Sequence, residues 1–170
     1  MRKAVKFWSL FVLGAGLAVP ALVLGHGNEA GESSTEIGGG TVKVEFTGPA
    51  LQGRDPMSMI KPGQYWRMGA DRPTKLTTDV ALKFGDQQVP AGEYTLVAEL
   101  TEGGQWNLVV AEGVGSGWQP TKVVAKAPMA KSKTDVSVEN MKIKLEGDGA
   151  KGKLVVEWGT NRLTTDFSAA

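Results

Sequence analysis

Tyr65-Trp66-Arg67-Met68-Gly69-Ala70 is the stretch whose residue types and spacing could do chemistry. An indole beside a guanidinium offers a flat ligand both a stacking surface and a fork of hydrogen-bond donors. Arg54 upstream, and Asp71, Arg72 and Thr74 downstream, form a polar surround. Its arginines, together with Arg67, could hold a carboxylate or phosphate. Each residue also has a structural use. Trp66 could seal a core where an irregular arm crosses it, and Arg67 could pair with a strand carboxylate such as Glu157 or Asp166. Arg54 and Arg72 could cap carbonyls or bridge to acids on adjacent strands.

Trp118 follows a run of glycines and is the second candidate. A ring on the loop of a β domain can stack on a sugar, or it can fold back as a lid on the edge of the core. Trp106 and Trp158 alternate with aliphatic residues at strand spacing and are expected in the core. His26 would open the mature chain if a leader were cut after Gly25, and a terminal amine with its imidazole chelates copper. Such sites need a second histidine and this chain has one, so a solvated residue is the expectation. Met57, Met59 and Met68 could make a soft Cu(I) site, with Met57 and Met59 on one face of an extended arm. Adaptable core filling is the commoner use of methionine.

Cysteine is absent, which removes disulfides, thiolate chemistry and lipidation at a cysteine. With the one histidine expected outside the domain, the usual triads and histidine metal sites fall away too. No catalytic residue, metal or cofactor is therefore assigned. Two carboxylate pairs, Asp55 with Asp71 and Glu157 with Asp166, keep a carboxylate-dependent hydrolase as an alternative. A glycosidase-like pair needs a defined separation and one raised pKa.

Something must position these residues. Residues 1–25 open with Arg2, Lys3 and Lys6 and then run apolar from 7 to 24, the layout of a signal peptide. An uncleaved anchor is the competing reading, and membrane contact is expected only through it. Residues 26–40 are rich in Gly, Ser and Glu, and are expected to be a flexible tether. Residues 41–170 form the single domain. Without the three leader cations, the formal net charge falls from +1 to −2, a balance that disfavours nucleic acid.

Within the domain, Val42, Val44 and Phe46 alternate with Lys43 and Glu45, the mark of a strand with one buried face. Residues 48–63 carry three prolines and three glycines and are expected to be an irregular arm. Alternation returns over 77–84, 94–100 and 106–110. It comes back again over 136–145, 154–158 and 163–167, with 122–127 as a short strand and 127–134 as a polar connection. No helical stripe follows the leader. The pattern predicts an all-β antiparallel sandwich of about eight or nine strands.

The chain also resembles a family of secreted bacterial domains, domain of unknown function twenty-nine eleven. The matching pieces are Gly53-Arg54, the stretch from Tyr65 to Ala70 followed by Thr74, Val89-Pro90-Ala91-Gly92-Glu93-Tyr94, Trp106-Asn107-Leu108, and Leu154-Val155-Val156-Glu157-Trp158-Gly159 with Arg162. Two departures stand out. Asp71, Arg72 and Pro73 replace the Asn-Glu-Ala usual after Gly-Ala, and a Trp-Gly segment survives only as Gly117-Trp118. The resemblance implies an exported β domain and brings no activity with it.

The expectation is thus an exported, periplasmic or extracellular, non-enzymatic module. It is expected to bind a glycan or other cell-envelope component through Arg54, Trp66, Arg67, Asp71, Arg72 and Trp118. A scaffolding domain that meets a protein partner through a sheet edge is the alternative from another class.

Overall fold

A computed structural model describes residues 27–170, so the leader and His26 lie outside the described residues. Ten strands follow in order: β1 (Glu29–Ile37), β2 (Gly40–Gly48), β3 (Gln64–Trp66), β4 (Thr74–Thr78), β5 (Leu82–Phe84), β6 (Gln87–Val89), β7 (Gly92–Leu100), β8 (Trp106–Val114), β9 (Pro120–Asp148) and β10 (Lys151–Ala169). Two 3-10 turns, Met57–Met59 and Ser116–Trp118, are the only helical pieces among the described residues. The protein is all-β, and every strand pairing is antiparallel.

The sheet order is β1-β2-β4-β7-β8-β9-β10-β5-β6, with β3 also on β7. Strand β9 joins two halves, because its first part pairs with β8 and its remainder with β10. The halves approach again where β2 runs out: Ala50 bridges Asn140, Met141 donates to the Pro49 carbonyl and Leu51 to that of Glu139. Gly48 makes this approach possible, since a Cβ there would collide with the Met141 carbonyl oxygen. One apolar core draws on both halves: Val42, Val44, Leu76, Leu96 and Leu108 from the first, and Ile143, Leu154, Val156, Leu163 and Phe167 from the second.

Four expectations need correction. Residues 29–37 are strand β1, paired with β2 from Glu29↔Gly48 to Ile37↔Gly40, rather than part of a tether. The inward residues of β1 are Gly31, Ser33, Thr35 and Ile37, mostly small or polar, so hydropathy hides the period. They suit a close approach instead. The Phe46 ring lies where a Gly31 side chain would go, and Ser33 Oγ accepts the Leu145 amide at 2.9 Å.

Residues 127–134 are not a connection, because β9 passes straight through them with Ala125, Ala127 and Met129 buried. Nor are the alternating runs 154–158 and 163–167 separate strands. Both lie inside β10, whose register on β9 jumps between them from Gly159↔Val138 to Asn161↔Lys133. The alternating run 77–84, by contrast, is two strands, β4 in one half and β5 in the other.

Candidate functional site

Strand β8 occupies one edge of β7, so β3 and β4 must share the other. β3 ends at Trp66↔Ala98, and β4 begins at Thr74↔Leu96. Residues 67–73 are therefore an excursion from a nearly continuous edge strand, opposite the single residue Val97. It is tied down from within. Ala70 donates its amide to the Thr47 carbonyl at 2.8 Å, Arg72 donates to the Ala70 carbonyl at 2.6 Å, and the buried Thr74 hydroxyl donates to the Met68 carbonyl at 2.8 Å. Met68 and Asp71 hold φ of +52° and +59°, a left-handed conformation that non-glycine residues enter at a cost.

Beneath the excursion lies an aromatic core. Trp66 stacks parallel to Trp158 with ring centroids 6.0 Å apart, and meets Trp106 edge-on at 6.2 Å. All three rings are buried. Trp66 is thus a joint in the core, with Trp106 and Trp158 beside it as expected. Met68 is fully buried and Met57 nearly so, whereas Met59 is exposed. The 3-10 turn at Met57–Met59 sends those two side chains apart, so they share no face and cannot ligate together as an extended arm would allow.

Above it, the arrangement is different. The Arg67 guanidinium lies 4.9 Å from the centre of the Trp118 ring, not against Glu157 or Asp166. The β8–β9 hairpin makes this contact by curling: its register slips between Val110 and Ala111, and the Ser116–Trp118 turn comes back against β3. Trp118 is half-buried with φ of +60°, between Gly117 and a left-handed Lys122. It is therefore neither a free loop aromatic nor a lid on the inner core, because it sits under Arg67 on the outer face.

Alternation along β1, β2, β4 and β7 sets the rest of that face. While Val44, Leu76 and Leu96 point into the core, Glu32, Glu45, Lys75 and Thr95 pair across the four strands in one outward row. A groove of about 720 Å³ runs along it, lined also by Thr47, Phe46, Arg72 and Pro73. Lys75 bridges Glu45 and Glu93, and Lys43 bridges Glu32 and Glu45. Glu45's carboxyl is held below its ordinary pKa, first by the hydrogen bond from Lys43 and then by that from Lys75. Further along the outer face of β7, burial raises the Glu99 carboxyl. Hydrogen bonds from Lys126 and Asn107 outweigh that effect and leave its pKa lowered.

The six predicted site residues therefore separate. Arg67 and Trp118 are brought together, and Arg72 joins the groove wall. Asp71 is exposed and accepts from Asn28 Nδ2 at 3.1 Å, at the start of β1. Arg54 donates to the carbonyls of Ala50 at 2.9 Å and Leu51 at 3.1 Å, so it braces the arm. Trp66 belongs to the core. Glu32, Glu45, Lys75 and Thr95 were missed, although the outward half of the Lys43-Val44-Glu45 alternation marks such a face.

Neither predicted carboxylate pair assembles as an acid and a base. Asp55 Oδ1 accepts the Met57 amide at 3.3 Å, while Asp71 is held by Asn28. Glu157 is buried between Lys144 at 3.0 Å and Arg162 at 2.6 Å, and exposed Asp166 lies 3.7 Å from Lys153. Burial raises the Glu157 carboxyl, yet hydrogen bonds from Lys144 and Arg162 leave its pKa lowered, the wrong direction for a general acid. Among the described residues, no three His, Cys, Asp or Glu side chains cluster as metal ligands would.

Fold and face together define a β domain that carries an arginine–indole contact and a charged groove. The chain belongs to the family described as protein of unknown function (DUF2911), which matches residues 29–167. That match starts on the first residue of β1. No curated protein and no solved structure matches the chain.

Proposed function

We propose that this protein is an exported, non-catalytic module that binds a cell-envelope glycan across the outer face of β1, β2, β4 and β7. The observation that carries the reading is the excursion 67–73, which has at one end a guanidinium over an indole and at the other the arginine and proline that line a groove about 720 Å³ in volume. A groove floored by Thr47 and Thr95 and walled by charged side chains offers many hydrogen-bond partners to hydroxyls. A held aromatic ring offers the apolar face of a sugar something to stack on.

Local strain supports the same location. Among the described residues, Met68, Asp71, Trp118 and Lys122 make up four of the five non-glycine positions with positive φ, and such positions gather at ligand sites. The carboxylates favour binding over hydrolysis, since Glu45, Glu99 and Glu157 are paired with cations and held ionised. A cell-envelope ligand follows from the leader-like residues 1–25.

Affinity electrophoresis of residues 26–170 through gels containing cell-envelope polysaccharides tests the proposal. Retardation that Trp118→Ala abolishes, while the variant stays folded at the assay temperature, is the expected result. Equal mobility of the two proteins in every gel would overturn it.

A further inference from the structure

The cations of the outer face fall into two classes. Lys43, Lys75, Lys122 and Lys126 each have a carboxylate within 3.5 Å. Arg67 and Arg72 have none: among the described residues, neither guanidinium has an ion pair or a hydrogen-bond acceptor. Arg67 is nevertheless half-buried, with its guanidinium 4.9 Å from the centre of the Trp118 ring. Its fork of donors is thus oriented and unanswered, although a guanidinium taken partly out of water ordinarily finds an acceptor.

The backbone sets this up. Arg67 and Arg72 occupy the two ends of one excursion, each next to a left-handed residue, Met68 and Asp71. Asp71 and the acids of the outer row are engaged within the chain. Asp71 holds Asn28, and Glu32 and Glu45 are bridged by Lys43 and Lys75.

Resting on the glycan-binding reading above, we propose that the bound glycan is acidic, with a sugar carboxylate received by the Arg67 and Arg72 guanidinium groups. A carboxylate matches the planar fork of arginine with two parallel hydrogen bonds. A neutral hydroxyl would leave most of those donors unused. Trp118 then packs against the ring that bears the carboxylate.

An array of neutral oligosaccharides and uronate-bearing ones, each uronate printed also as its methyl ester, tests this with residues 26–170. Binding to uronates, at least about ten-fold weaker for the matching methyl esters, is expected, a ratio equivalent to ~1.4 kcal/mol. Arg72→Gln and Arg67→Gln should each weaken uronate binding by about ten-fold and leave binding of the esters unchanged. Arg72→Lys should restore only part, because a point charge lacks the fork. Equal binding of acid and ester, or binding confined to neutral sugars, overturns the acidic ligand while the glycan reading stands. Uronate binding that ignores both arginine variants overturns the assignment to these residues. Binding to nothing on the array overturns both.

Discussion

Arginines 162 and 67 stand in opposite circumstances. In the second half of the sheet, Arg162 and Lys144 close on the buried Glu157 carboxylate at 2.6 and 3.0 Å, so every charge has a partner. On the excursion between β3 and β4, Arg67 lies on an indole and Arg72 along a groove, and among the described residues neither forms an ion pair. The first arrangement is complete within the chain. The second leaves the Arg67 donors unanswered where the ring holds them, and those of Arg72 exposed at the groove. Where charges close on themselves the residues serve stability, and where they stay open they are available to a ligand.

Substitutions sharpen this contrast, and the largest effect belongs under the excursion. Trp66→Ala removes the ring that joins Trp158 to Trp106 and should cost about 3–5 kcal/mol of stability in denaturant unfolding. A loss below about 1 kcal/mol would mean that Trp66 is not the joint. Glu157→Gln comes next, at about 2–3 kcal/mol. The side chains of Arg162 and Lys144 are 42% and 55% exposed, so breaking this clamp falls below the ~3–5 kcal/mol of a fully buried pair.

The same clamp fixes a pH dependence. Because the folded pKa of Glu157 is lowered, its contribution is present above the ordinary carboxylate pKa and is lost as pH falls through the folded value. Acid titration of stability should therefore be shallower in Glu157→Gln than in the wild type. Equal slopes would count against the clamp.

Arg67→Gln gives up one cation–π contact and should cost only about 0.5–1 kcal/mol. The smallest effect is expected for Arg72→Gln, whose melting temperature should match the wild type because the exposed side chain has no hydrogen-bond or ion-pair partner among the described residues. A large destabilisation from either arginine variant would erase the distinction between closed and open charges.

Much of the fold was legible because β2 alternates cleanly between core and surface, and Leu96 and Ala98 of β7 keep the same period although Val97 between them is buried as well. What escaped depends on distant contacts. β1 looks like a tether because Gly31 and Ser33 face inward, and their fitness there is set by Phe46 and by the Leu145 amide. Trp158 and Trp106 declared themselves through neighbouring aliphatics, whereas the partner of Arg67 did not. Trp118 lies 51 positions away along the chain and arrives only because the β8–β9 hairpin curls. The groove was hidden for a related reason: Glu45 reads as ordinary surface until β1 and β4 bring Glu32 and Lys75 beside it.

Strand β9 carries a consequence for how the protein comes apart. Because β9 pairs with β8 at one end and β10 at the other, neither half of the sheet can melt without stripping a shared strand from its neighbour. The domain should unfold in one cooperative step, with amides on both sides of β9 exchanging at a common, global free energy.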